Sequence, residues 1–162
     1  MIAMIHKDAF VHETAIIDGD VYIGAGTKVW AFSHISEKAS IGDNCVIGEG
    51  VHIGTGVKIG NNTKIQNHAL IYEGVTIGDD VFIGPNVVTT NDIFPRANLD
   101  DWSETFRETV IKDGASIGAN STIICGNTIG KDAMVGAGSV VTEDVGIHTL
   151  VFGNPARFIR DI

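Results

Sequence analysis

From Ile5 to Ile83 every sixth residue is Ile or Val, fourteen positions in one register, and the register returns at Ile111, Ile117, Ile123, Ile129, Val135, Val141 and Ile147. A short, fixed period of this kind belongs to a solenoid. Six is neither the 3.6 of a helix nor the 2 of a plain strand, so the repeating unit is a short strand plus a turn. Three such units close a triangular coil of eighteen residues. Ten of the aliphatic residues are followed directly by Gly, and Gly, Asn and Asp crowd the intervening positions (Gly42-Asp43-Asn44, Gly60-Asn61-Asn62), where turns demand positive φ. Two residues before each aliphatic from Ile17 to Ile83 stands a small or β-branched one, such as Val21, Thr27, Ser33, Ala39 and Cys45. Strand side chains alternate, so both positions point inward, the aliphatic to the centre and its smaller partner to the corner.

A chain of 162 residues has room for one such domain. Its 44% hydrophobic content is dispersed in runs of about four residues, far short of the roughly 20 that cross a membrane. No secretory leader opens it, and two cysteines make no disulfide framework, which points to the cytoplasm. A net charge of −9 argues against nucleic acid as a partner. The expected organisation is coils over 5–89 and 111–147, a loop over 90–110 and a tail over 148–162, the end of which (158–162) is short enough for a helix of about one turn.

The register fails once. Thr89 to Ile111 is 22 residues, sixteen more than one hexad, and the excess carries Asp92, Pro95, Arg96, Asp100, Asp101, Trp102, Glu104, Phe106 and Arg107. A solenoid that extrudes one polar, aromatic loop uses it. Residues eighteen apart stack on successive coils, so Asn91 lies above Glu73, about 4.8 Å away at the backbone. A carboxamide over a carboxylate at the loop mouth suits an amine. Cys125 joins that column if sixteen residues loop out. His34 and His52 are one coil apart and face outward, His68 lies beside Asn67, and no third histidine completes a zinc set there, so no metal is expected.

The aliphatic-Gly hexapeptide resembles that of the hexapeptide-repeat acyltransferases, which implies an all-β, left-handed parallel β-helix and a homotrimer with active sites between subunits. Within that group, Ile83-Gly-Pro-Asn-Val-Val-Thr-Thr-Asn-Asp-Ile-Phe-Pro-Arg96, Val29-Trp-Ala-Phe-Ser-His-Ile35, Ile65-Gln-Asn67 and Ile71-Tyr-Glu-Gly74 are similar to segments of nucleotide-amino-sugar N-acetyltransferases. The nearest resemblance is to UDP-2-acetamido-3-amino-2,3-dideoxyglucuronate N-acetyltransferases of lipopolysaccharide synthesis, and the next to dTDP-3-amino-3,6-dideoxyhexose N-acetyltransferases. It implies catalytic roles for Asn91 and Glu73, with Asp92 assisting or shaping the loop. O-Acetyltransferases of this fold commonly carry a His beside the loop. Here Thr90 is followed by Asn91 and Asp92, which counts against acetylation of a hydroxyl.

Ile117-Gly-Ala-Asn120, Val135-Gly-Ala-Gly-Ser-Val-Val-Thr142 and Gly153-Asn-Pro-Ala-Arg157 resemble the acetyl-CoA region of the same enzymes. The resemblance implies that Ala119 and Ala137 let pantetheine lie against the coil. Thr142 would meet the adenine or its linker, Arg157 and Arg160 the phosphates, and a backbone N–H near Gly118–Ala119 the oxyanion. Arg96 or Arg107 would suit a sugar carboxylate. The alternatives to weigh are an O-acetyltransferase, a γ-class zinc enzyme and a non-catalytic scaffold.

Overall fold

A computed structural model describes residues 2–98 and 104–162. Its architecture is an all-β, left-handed parallel β-helix. Among the described residues twenty-three strands, most of two residues, form three faces of seven, nine and seven strands. The first face starts with Met4–Ile5, the second with Phe10–Val11 and the third with Ile16–Ile17. Outside the insertion and the C-terminal end, each strand pairs in parallel with the one eighteen residues on, as in Ile23↔Ile41, Val29↔Ile47 and Ile35↔Ile53. The corner that follows each face is named here after it.

The inward ladders are those of the hexad. Ile23, Val29, Ile35, Ile41, Ile47, Ile53, Ile65, Ile71 and Ile83 are completely buried. The smaller partners are buried beside them, and the polar ones satisfy themselves across coils. Thr27 Oγ1 donates to Gly42 O (2.6 Å) and accepts from the N–H of Cys45 (3.0 Å), and Ser33 and Thr63 donate likewise to Gly48 O and Gly78 O. Cys45 lies in this column, and burial pushes its thiol pKa up. The aliphatic ladder loosens in the first coil, where Ile5 is exposed and Val11 and Ile17 half-buried, because no coil of the described residues lies beneath them.

The first corner is held by a ladder of short acids and amides. Asp43 Oδ1 accepts the N–H of Ala25 (2.7 Å), Asn61 that of Asp43 (2.8 Å), Asp79 that of Asn61 (2.6 Å) and Asp113 that of Asp79 (3.0 Å). Each side chain therefore caps the turn one coil below it.

One expectation, the register at Ile147, fails at the C-terminal end. Ile147 is 65% exposed, and Val145 takes the core place instead. Ile129 bridges to Val145 and Met134 pairs with Leu150, both sixteen residues on, so the last coil is two residues short. The tail is not helical: Thr149–Gly153 continues the second face and Ala156–Asp161 folds back on it antiparallel. Gly153-Asn154-Pro155-Ala156-Arg157 makes the turn of that hairpin. The Gly153 N–H donates to Ser139 Oγ (3.1 Å), so this motif has a packing role that the sequence does not disclose.

Candidate active site

The insertion is sixteen residues long, as the register implies. Val75 pairs with Thr109 and Ile77 with Ile111, a separation of 34 where the coil needs eighteen. It leaves the third corner at Asn91 and returns at Arg107 as an irregular hairpin. Arg107 N–H donates to Asn91 O (2.9 Å), Ile93 N–H to Thr105 O (3.1 Å), and Asp92 bridges Phe106. Asp100, Asp101 and Trp102 lie outside the described residues. Asp92 Oδ1 accepts the N–H of Phe94 (2.9 Å), which holds the first bend of the loop. Phe106 seats the returning strand: a methyl group on Gly74 would lie 2.5 Å from ring carbon Cζ of Phe106, so only glycine admits this contact. Arg107 spends its Nη1 on the carbonyls of Glu104 and Phe106, both at 2.7 Å.

Leu70 pairs with Val88, which puts Asn91 one coil above Glu73 at the loop mouth. Asn91 and Asp92 line a cavity of about 420 Å³ with Pro95, Arg96 and Ala97. They also line a smaller one of about 240 Å³, completed by Tyr72, Val88, Thr89, Thr90 and Pro95. Glu73 borders neither and is exposed beside them. Val88 pairs with Thr122, and Cys125 N–H donates to Thr90 Oγ1 (2.9 Å), so Cys125 stands over Asn91.

Below the mouth runs an aromatic and imidazole row on the third face. Asp18 Oδ2 contacts His34 Nε2 at 2.9 Å, the His34 and His52 rings stack edge-on at 5.6 Å, and Tyr72 follows at 5.9 Å. Burial, and secondarily His34, holds the pKa of His52 below the usual imidazole value. His34 is thus engaged by a carboxylate, and the pair forms part of a packed row. His68 sits on the second corner in the left-handed conformation, φ 59°.

Ala119 and Ala137 stack on the second corner, with Gly138 N–H donating to Ala119 O (2.8 Å). The wall is smooth because the backbones nearly touch: a methyl on Gly84 would lie 2.7 Å from the nitrogen of Ala119. Here the capping habit of the first corner stops. Asn67 still caps the N–H of Glu49 (3.2 Å), but Pro85, Ala119 and Ala137 bring no oxygen for the turn beneath. Gly118 spends its N–H on Val135 O (2.7 Å), whereas the N–H groups of Ala119 and Ala137 take no protein partner among the described residues. An ungated run of backbone donors beside small side chains suits the amides of an extended thiol arm.

The other residues expected around the cofactor do not all meet there. Thr142 follows the third face and so stands on the third corner with Glu73 and Asn91, away from Ala119 and Ala137. Arg157 is on the returning strand of the C-terminal hairpin, 3.7 Å from Glu143, and both residues line a cavity of about 370 Å³ at that end. Arg160 lies further along the same strand, opposite Leu150. Sequence reasoning overlooked a further cavity of about 350 Å³ lined by His12, Trp30, Ala31, Glu49 and Asn67 on the second corner, although the eighteen-residue spacing of Ala31, Glu49 and Asn67 marks it.

Comparison with known proteins places this geometry. The bacterial transferase hexapeptide model (six repeats) matches residues 20–55, 38–73 and 56–91, and the hexapeptide repeat of succinyl-transferase matches 109–143. A hexapeptide-repeat acetyltransferase of Vibrio cholerae, solved with acetyl-coenzyme A, is 32% identical over 76% of this chain and 70% of its own, with a TM-score of 0.66. The chain belongs to the hexapeptide-repeat acetyltransferases. A galactoside acetyltransferase in complex with coenzyme A is 28% identical over 76% of this chain and 64% of that one, with a TM-score of 0.67. Among curated proteins, the dTDP-3-amino-3,6-dideoxy-α-D-galactopyranose 3-N-acetyltransferase of Aneurinibacillus thermoaerophilus is 59% identical over 54 residues. That stretch is 33% of this chain and spans 28% of the relative.

Proposed function

We propose that the protein transfers acetyl from acetyl-CoA to the 3-amino group of a nucleotide-linked amino sugar, in the cytoplasm, for surface-polysaccharide synthesis such as that of lipopolysaccharide. The observation that carries the reading is Asn91 one coil above Glu73 at the mouth of the inserted hairpin, with Asn91 and Asp92 rather than a histidine following Thr90. A carboxamide oxygen and a carboxylate accept hydrogen bonds from an amine and aim its lone pair. A hydroxyl would need a base to remove its proton before attack, and an amine presented unprotonated does not. The strongly similar stretch of a dTDP-3-amino-sugar N-acetyltransferase supports the same class.

In this reading Asn91 orients the amine and Glu73 receives a hydrogen bond from it or from a neighbouring hydroxyl. Asp92 keeps the bend that presents Asn91. Ala119 and Ala137 offer their N–H groups to the pantetheine arm, with Ala119 the donor nearest the developing oxyanion. The amine proton leaves with the departing thiolate, so no side chain has to keep it, and positioning supplies most of the rate. Thr142 contacts the adenosine end, and Arg157 leaves Glu143 to pair, with Arg160, to phosphate.

The acceptor groups and the donor wall occupy different corners of the triangle, six residues and about 15–20 Å apart on one chain. They face each other only where the third corner of one subunit meets the second corner of another. A homotrimer with three such shared sites fits this requirement.

UDP-2-acetamido-3-amino-2,3-dideoxyglucuronate is the preferred acceptor. Arg96 lines the larger cavity beside Asn91, exposed, with Nη1 on the carbonyl of its neighbour Pro95 (3.0 Å) and the rest of its fork open toward a sugar carboxylate, whereas Arg107 spends Nη1 on two loop carbonyls. A dTDP-3-amino-3,6-dideoxyhexose is the second reading, favoured by the curated relative. CoA release with acetyl-CoA and a panel of nucleotide-linked 3-amino and 4-amino sugars, and of sugar alcohols, tests the class. Turnover of a 3-amino compound is expected. Acetylation confined to hydroxyl acceptors would contradict it.

A further inference from the structure

We propose that the cavity on the second corner, between Trp30, Glu49 and Asn67, is the nucleobase subsite of the acceptor, built for a base that carries a ring carbonyl beside a ring N–H. The assignment rests on the reading of the acceptor as a nucleotide-linked sugar.

Three features meet in this cavity of about 350 Å³. The first is a flat surface. Trp30 is 43% exposed and is steadied by Phe10, whose ring centroid lies 5.5 Å away at 57°. A half-exposed indole offers a stacking face that any base can use. The second is a donor whose identity is fixed. The backbone N–H of Glu49 needs an acceptor and finds Asn67 Oδ1 at 3.2 Å, so the other end of that amide is Nδ2. It takes no protein partner among the described residues. The third is an acceptor, the exposed carboxylate of Glu49, one coil below Asn67. An NH₂ next to a carboxylate is complementary to C=O next to N–H, the edge shared by uracil, thymine and guanine. Cytosine and adenine present an amino group beside an unprotonated ring nitrogen. With the glycosidic bond held toward the sugar end of the groove, this reversed order would set donor against donor and acceptor against acceptor.

Position supports the assignment. Ala31, Glu49, Asn67, Pro85, Ala119 and Ala137 are successive rungs of one corner, joined by Gly50 N–H to Ala31 O, His68 to Glu49, Asn86 to Asn67, Asn120 to Pro85 and Gly138 to Ala119. The thiol-arm wall is the upper end of this line and the cavity its lower end. The Trp30 turn is three coils below Pro85, about 14 Å at the spacing of stacked strands. That leaves length for the ribose and diphosphate that separate a base from its sugar. A base seated on Trp30 and a cofactor lying on Ala119 and Ala137 would thus approach the same level from opposite ends of one groove.

The test is calorimetric binding of UDP, dTDP, GDP, CDP and ADP to the full chain without acetyl-CoA, for the wild type, Asn67→Asp and Trp30→Leu. Asn67→Asp keeps the oxygen that Glu49 N–H requires, as Asp43 and Asp79 do at the first corner, so the coil keeps its cap and loses only the donor. At least one of UDP, dTDP and GDP should bind about tenfold or more tighter than CDP and ADP, and Asn67→Asp should erase that preference. Trp30→Leu should weaken every nucleotide that binds by about ten- to a hundredfold. Equal binding of all five, no binding of any, or an unchanged preference in Asn67→Asp would overturn the assignment. The readout needs no chemistry, so it is independent of the acetyl-transfer reading. Selective nucleotide binding by a protein that acetylates no amino sugar would keep the subsite and sink the proposed function. Turnover of a nucleotide-linked amino sugar with KM unchanged in Asn67→Asp would do the reverse.

Discussion

At the scale of the residue, most polar groups inside the coil answer one another, and the exception lies where the hairpin rejoins it. Thr109 is completely buried, and its hydroxyl finds no partner among the described residues. Equivalent threonines donate to a carbonyl fifteen residues on, as Thr27 does to Gly42 and Thr63 to Gly78. For Thr109 that carbonyl belongs to Ile124, which accepts Asn127 Nδ2 at 2.7 Å instead. Replacing the hydroxyl with a methyl group removes an unsatisfied buried donor at almost constant volume. Thr109→Val is expected to stabilise the fold by about 1–2 kcal/mol, read as a higher urea midpoint with unchanged slope. No change, or a loss, would mean that the hydroxyl is satisfied in solution. This competition could not be read from the sequence, because both residues are ordinary for their positions. The core positions themselves, from Val21 to Val141, could be read, because burial there follows directly from the six-residue period.

At the scale of the element, the corners differ in who satisfies the turn N–H groups. On the first corner short acids and amides do so, and on the upper second corner nothing among the described residues does. Ala137→Asn would import the cap that Asn67 gives Glu49. The fold should be kept or slightly strengthened, while KM for acetyl-CoA rises about tenfold or more as the Ala119 N–H and the surface beside it are taken. Unchanged KM would remove the alanine wall from the cofactor site. The alanine column is visible in the sequence as an eighteen-residue spacing, but its meaning depends on seeing which N–H groups the neighbours leave open. The loop is a mixed case. Its length of sixteen residues follows from register alone, whereas its hairpin form, closed by Asn91 with Arg107 and Ile93 with Thr105, has no period to announce it. The terminal hairpin was hidden for a related reason. The last coil drops two residues, so Ile147 keeps the hexad phase and loses the core to Val145.

At the scale of the whole molecule, the proposed function needs more than one chain to close its site. Glu73, Asn91 and Thr142 share the third corner, and Ala119 and Ala137 the second. Reading the motifs along the chain gathers these residues into one list, and only the triangular section separates them. Their separation is the physical reason for expecting an assembly, and it makes a subunit-mixing experiment the most direct measurement. Asn91→Ala should be inactive because it cannot orient the amine, and Ala137→Asn impaired because its donor wall is blocked. Each variant keeps the half that the other lacks. CoA release from nucleotide-linked amino sugar should therefore be measured, at acetyl-CoA well below the KM of Ala137→Asn, for each variant alone and after co-refolding at equal amounts. A site shared between chains predicts that two nearly silent proteins recover about a quarter of wild-type activity, the fraction of interfaces that pair two intact corners at random mixing. A mixture no more active than its components would place each site within one chain and contradict the shared-corner account.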